Sequence, residues 1–313
     1  MAAGEPLNPT ERRMNRHTVD WHGPMPAIVT IFDERGNIDA SAMQAHIDRL
    51  FDAGATGILV GGCTGEFWAL NAEERAELFG LGVRCAAGRG TVLAGTGAVT
   101  IRETLRLTQA AADAGCDGAL ILPPYFIRLS DDEIFEHYRA IDSEIELPVV
   151  LYNIPGNAIN AITPELAVRL AELKHVVAIK ESSGDWNNFY RTLIAVRDRL
   201  RVFCGPASIF GVPAVAAGAD GFIDCFPNVW LPGGIDMYAA AVEGRHDEAN
   251  RLQVIGRQLT DLFTSGGRSL YPSTKAAMNY IGYLAGDPRP PLLPLDGDAL
   301  AGLRAGLRRL GVK

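Results

Sequence analysis

One phrase recurs three times in this chain and limits its fold more than any other feature. Asp52-Ala-Gly-Ala-Thr-Gly-Ile, Asp113-Ala-Gly-Cys-Asp-Gly-Ala and Ala216-Ala-Gly-Ala-Asp-Gly-Phe each close a helical pattern and open an apolar run. Glycine just past a helix end takes the left-handed cap conformation, and a fully apolar run after it suits a buried parallel strand. Three such joints predict a β/α repeat. The remaining runs supply eight candidate strands: Ala27–Phe32, Gly57–Gly61, Val92–Gly95, Gly118–Leu122, Val149–Asn153, Val176–Ile179, Val202–Gly205 and Gly221–Cys225. Amphipathic stretches such as Ala42–Ala53, Glu73–Ala86, Arg102–Ala114 and Asp131–Ile141 lie between them.

Eight β/α units predict an α/β fold closed as a (β/α)8 barrel, the TIM barrel. A doubly wound open sheet is the alternative, but Gly95-Thr96-Gly97 lacks the last glycine of a dinucleotide fingerprint, since Thr100 stands there. From Pro232 onward the pattern is helix after helix, ending in Leu303–Leu310. The expected organisation is therefore a flexible lead-in over 1–22, a barrel over 23–231 and a C-terminal helical domain over 232–313.

Bulk properties narrow the function. A net charge of −8 and a pI near 5.3 argue against nucleic acid or an anionic membrane as partner. No apolar run approaches the roughly 18 residues of a membrane span. The first twenty residues lack the apolar stretch of a secretory signal, so a cytoplasmic location is expected. The five cysteines (Cys63, Cys85, Cys116, Cys204, Cys225) are scattered, and the histidines show no metal-binding spacing. Neither a disulfide framework nor a metal site is expected.

In barrel enzymes the chemistry sits where strands end. Strand six ends in Lys180-Glu181-Ser182-Ser183, strand five in Tyr152-Asn153-Ile154-Pro155, and strand four leads to Pro123-Pro124-Tyr125. Gly61-Gly62-Cys63-Thr64-Gly65-Glu66 follows strand two. Lys180 stands out, because the chain has only four lysines among 29 basic residues and this one ends an apolar strand. Burial there favours the free amine, a nucleophile for carbonyl carbon; the competing role is a lysine that snorkels to solvent or pairs with Glu181. Tyr152 is placed to exchange protons with a bound substrate or simply to fill the barrel top. The glycine-rich loop is a carboxylate cradle or only a turn.

Taken together, Gly62–Glu66 (G-x-T-G-E), Tyr152–Pro155 (Tyr-Asn-x-Pro) and Ile179–Glu181 (Ile-Lys-Glu) resemble the dihydrodipicolinate synthase / N-acetylneuraminate lyase superfamily of class I pyruvate aldolases. The resemblance implies that Lys180 forms an imine with pyruvate or another 2-oxo acid and that Tyr152 moves protons. It implies a carboxylate site made of Thr64 and the Cys63 and Thr64 amides. Tyr125 would complete a proton relay, in this family usually across a subunit contact. A homotetramer, commonly a dimer of dimers, and no metal or organic cofactor are implied as well.

Departures from the family pattern bear on the substrate. Cys63 stands where the synthases have Thr and the sialic acid lyases Ser. Asn157 stands where the synthases place an arginine for the aldehyde partner's carboxylate, which an amide cannot grip bidentately. Ala207 and Ser208 occupy positions that are acidic in the lyases. The expected substrate is thus a 2-keto-3-deoxy sugar acid, because Asn157, Ser182 and Ser183 are neutral donors suited to its hydroxyls, with Gly205 and Ile223 completing the binding set. The alternatives are a divergent dihydrodipicolinate synthase and a non-catalytic binder of keto acids.

Overall fold

A computed structural model describes residues 13–313. Eight strands, β1 (Gly23–Pro24), β2 (Gly57–Val60), β3 (Thr91–Gly95), β4 (Gly118–Ile121), β5 (Val149–Asn153), β6 (Val176–Glu181), β7 (Arg201–Cys204) and β8 (Gly221–Phe222), form one parallel sheet in the order β1-β8-β7-β6-β5-β4-β3-β2. A bridge from Ala27 to Leu59 of β2 brings the two ends together and closes the barrel. Helices α1 (Ala40–Asp52), α2 (Ala72–Ala86), α3 (Ile101–Ala114) and α4 (Asp131–Asp142) match the amphipathic stretches within two residues. They are followed by α5 (Pro155–Ala158), α6 (Pro164–Leu170), α7 (Trp186–Val196), α8 (Ala207–Ala216) and α9 (Ile235–Val242).

The repeated phrase behaves as its chemistry requires. Gly54, Gly115 and Gly218 have φ of +104°, +85° and +107°, and each ends its helix three residues before a strand. Strand side chains alternate in direction, which divides the apolar residues in two. Leu59, Leu93, Leu120, Val150, Ala178, Phe203 and Ile223 fill the barrel interior, whereas Ile58, Val60, Ile121, Leu151, Ile179 and Val202 pack outward under the helices.

Three expectations are corrected. The first strand begins at Gly23, not Ala27, and its run leaves the sheet after Ile28, whose N–H still reaches Leu59. Pro24 and Pro26 offer only carbonyls to the ladder, which Thr56 and Leu59 accept as partners by donating their N–H groups, so the prolines hide the strand. Residues 13–22 are not a loose lead-in: Met14 N–H donates to the Lys174 carbonyl, Arg16 N–H to that of Arg199, and Trp21 is buried with the interior cluster. The rest of the expected lead-in, 1–12, lies outside the described residues. Finally, α9 packs against α8 and β1 as the eighth barrel helix, so the boundary drawn at 232 falls inside the barrel. Two short 3-10 turns separate β8 from α9 and conceal that unit.

The C-terminal layer comprises α10 (His246–Thr264), α11 (Leu270–Tyr280) and α12 (Gly297–Leu310). It is fastened to the barrel mouth by a buried ion pair, Lys275 Nζ to Glu66 Oε1 at 2.6 Å, with each side chain 1% exposed. Lys275 also donates to the Asp287 carbonyl, and the Arg289 N–H donates to Glu66 Oε2. Removing one partner leaves the other charge buried alone. Lys275→Met is therefore expected to cost about 3–5 kcal/mol, read from the urea unfolding midpoint and slope. A loss below about 1 kcal/mol would mean that water reaches the pair.

Candidate active site

The parallel register of β5 and β6 sets Tyr152 and Lys180 side by side, both directed into the barrel mouth. Lys180 is 5% exposed, and its ammonium lies 4.2 Å from the centroid of the Tyr152 ring. Burial lowers its pKa, opposed by the acidic groups around it, Cys63 first, then Asp224 and Cys225. No carboxylate among the described residues lies within ion-pair distance of it. Alternation along β6 sends Glu181 the other way, where Oε1 accepts from Asn153 Nδ2, the Ser183 N–H and Asn188 Nδ2. Pairing of Lys180 with Glu181 is thereby ruled out.

Tyr152 is likewise buried, and burial holds its phenol protonated well above the usual range. Its hydroxyl donates to Cys63 Sγ at 3.8 Å, and burial keeps that thiol protonated too. The loop carrying Cys63 turns tightly: Glu66 N–H donates to the Cys63 carbonyl, and Thr30 Oγ1 donates to the Gly65 carbonyl. Within this turn no backbone carbonyl among the described residues takes the Cys63 or Thr64 N–H. Two free amides and a threonine hydroxyl at the cavity edge can receive a carboxylate.

Ser182, two residues beyond Lys180, has a buried hydroxyl without a hydrogen-bond partner among the described residues. Gly205 makes room for it: a Cβ there would lie 1.7 Å from Ser182 Oγ. On the far wall Thr260 Oγ1 of α10 donates to Ser208 Oγ at 2.9 Å, and Thr264 lies one turn further along α10. Asp224 accepts the Ser208 N–H through Oδ2 and tethers the start of α8 to β8.

Cys63, Thr64, Tyr152, Lys180, Ser182, Gly205 and Ile223 thus line one cavity, as their order along the strands suggests. Three expected residues, Ser183, Tyr125 and Asn157, lie outside its lining; Ser183 turns away, its N–H donating to Glu181. The chain turns at Phe126, φ +82°, which leaves that ring 89% exposed while Tyr125 folds inward, edge-on to Phe67 at 6.1 Å. Asn157 is exposed at the rim and reaches the cavity only by donating from Nδ2 to Tyr271 Oη at 3.4 Å. Sequence reasoning missed Asp224, Thr260, Thr264 and Tyr271, all of which line the cavity. Asp224 follows strand eight and could have been found by reading that strand end as the others were read. The remaining three come from the C-terminal helices, for which strand-end logic has no rule.

The family model of the dihydrodipicolinate synthetase family matches residues 20–310. The 4-hydroxy-tetrahydrodipicolinate synthase of Bacillus velezensis is 31% identical, over 91% of this chain and 97% of that protein. Among solved structures, the dihydrodipicolinate synthase of Acinetobacter baumannii in complex with pyruvate is 30% identical with a TM-score of 0.87, over 93% of this chain and 99% of that one. A prophage protein of Escherichia coli K12 from the same family, also in complex with pyruvate, is 27% identical with a TM-score of 0.89, over 94% of this chain and 100% of that one. With the barrel, the buried strand-six lysine and these matches in agreement, the chain belongs to the dihydrodipicolinate synthetase family of pyruvate-dependent lysine Schiff-base lyases.

Proposed function

We propose that the protein is an aldolase or dehydratase for a 2-keto-3-deoxy sugar acid, held as an imine on Lys180. The observation that carries this reading is the composition of the cavity wall. Among the described residues Lys180 is its only cationic lining residue, while Ser182, Ser208, Thr260 and Thr264 present hydroxyls along it. A second carboxylate would enter without a fixed cation and lose its hydration uncompensated. Sugar hydroxyls, in contrast, find neutral partners.

In this reading the free amine of Lys180 attacks the 2-oxo carbon, and the resulting carbinolamine loses water as Tyr152 delivers a proton to its oxygen. The substrate's carboxylate rests on the Cys63 and Thr64 amides and the Thr64 hydroxyl. Ser182 Oγ, Asn157 and the far-wall hydroxyls orient the rest of the chain, with Gly205 and Ile223 shaping the floor. A homotetramer fits the family and gives the exposed Phe126 ring a subunit contact; equilibrium sedimentation measures it.

The synthase relatives favour a second reading, synthesis of 4-hydroxy-tetrahydrodipicolinate. One screen separates the two. Several 2-keto-3-deoxy acids, and pyruvate with aspartate semialdehyde, are incubated with the enzyme and the products identified by NMR. Turnover of at least one sugar acid and negligible condensation are expected. Condensation at roughly 1–10³ s⁻¹, the range of working enzymes, would establish the synthase instead.

A further inference from the structure

We propose that Glu181 is a positioning residue for the reaction: behind the cavity its carboxylate clasps Asn153, and this clasp keeps Lys180 and Tyr152 level with each other. The inference rests on the reading of Lys180 as the imine lysine. The two strand-end motifs, Tyr-Asn on β5 and Lys-Glu on β6, lie in parallel register, Tyr152 against Lys180 and Asn153 against Glu181. Alternation sends the first pair into the cavity and the second pair to the outer face of the barrel, where both residues are fully buried. There Asn153 Nδ2 donates to Glu181 Oε1 at 2.8 Å. Each motif thus gives one residue to the cavity and the next to the neighbouring strand.

The clasp reaches beyond these two strands. Glu181 Oε1 also accepts the Ser183 N–H at 2.9 Å and Asn188 Nδ2 of α7 at 3.2 Å. Asn153 Oδ1 accepts the Ile162 N–H at 2.8 Å, just ahead of α6. Backbone bonds run alongside: the Ser182 N–H donates to the Asn153 carbonyl at 2.7 Å, and the Gly205 N–H to that of Glu181 at 2.9 Å. Ser182 and Gly205, both on the cavity wall, are therefore placed by the same two residues.

Stability alone does not account for the carboxylate. Glu181 Oε2 is buried with no hydrogen-bond partner among the described residues, which costs free energy that an apolar side chain under α7 would not. What the carboxylate adds is one acceptor, Oε1, on which donors from three segments converge. Such convergence fixes geometry, and a misplacement of about 1 Å in a reacting group can cost roughly 10²-fold in rate. Neither Glu181 nor Asn153 lines the cavity, so each acts only through the residue beside it.

Exchange of pyruvate C3 hydrogens for deuterium in D2O, followed by NMR, needs the imine and a base beside it at once. It requires no knowledge of the natural substrate. Circular dichroism and thermal melting give the folded fraction to which the rates are referred. Glu181→Leu and Asn153→Ser are each expected to slow exchange at saturating pyruvate by about 10-fold or more. The half-saturating pyruvate concentration is expected to stay within about 3-fold of wild type, because the Cys63–Thr64 loop is untouched. The double variant is expected to be no more than about 2-fold slower than either single one, since the clasp is already open. Glu181→Gln keeps Oε1 for all three donors and changes only the oxygen without a partner, so its exchange is expected within about 3-fold of wild type. Wild-type exchange in the folded Glu181→Leu or Asn153→Ser protein, or losses that multiply in the double variant, would overturn the proposal. So would a Glu181→Gln protein as slow as Glu181→Leu, because charge and not the clasp would then matter. Should Glu181→Leu fail to fold, the milder Asn153→Ser, which cuts the same bond, decides. Absence of any borohydride-trapped pyruvate adduct in the wild type would instead overturn the imine reading beneath the proposal.

Discussion

Borohydride reduction in the presence of pyruvate should add a single reduced pyruvyl group, which peptide mapping should place on Lys180. This is the expected result because only an imine yields a stable adduct on reduction. The geometry leaves little room for another outcome. Four lysines occur in the chain, and Lys180 alone lines the cavity, while Lys275 is consumed by Glu66 and Lys174 lies near Glu146 on the surface. The Lys180 amine is buried with no carboxylate at ion-pair distance among the described residues, so burial can lower its pKa and supply the neutral form to the carbonyl. Lys180→Ala should cut turnover by roughly 10⁴-fold or more, as removal of a covalent nucleophile does elsewhere. An unmodified Lys180 with pyruvate shown to bind by calorimetry would end the mechanism.

The second large effect is expected at Tyr152. Tyr152→Phe should lower kcat by roughly 10²–10⁴-fold with little change in the trapped imine at equilibrium. Phenylalanine keeps the ring that lies 4.2 Å from the Lys180 ammonium and the packing against the interior cluster. The substitution therefore removes the hydroxyl, its hydrogen bond to Cys63 and little else. Steady-state turnover of the sugar acid found by the substrate screen is the measurement. A kcat within a factor of two or three of wild type would make the tyrosine a packing residue.

These two residues were legible from sequence because strand geometry is regular. An apolar run that ends at the barrel mouth delivers its last inward side chain to the cavity, and the run Val176–Ile179 does so for Lys180. Parallel pairing then puts Tyr152 level with it. The helix ends were legible for a similarly local reason. Gly54, Gly115 and Gly218 occupy conformations that other residues resist, so the repeated phrase carries its own geometry. Neither inference needed to know which distant segments meet.

What tertiary structure alone decided is of another kind. The inward turn of Tyr125 follows from the backbone at Phe126, where a bulky residue holds φ at +82° against its own preference, and no local pattern announces that. Strand one was misplaced because Pro24 and Pro26 look like strand breakers until their carbonyls find donors across the sheet. Tyr271 lies more than two hundred residues from Cys63 and lines the same cavity because α11 is drawn onto the barrel mouth by Lys275 and Glu66. Periodicity and caps are written into neighbouring residues, so the barrel and its strand-end lysine could be read along the chain. A contact between the last helices and an early loop depends on the packing of everything between them, and only the folded molecule determines it.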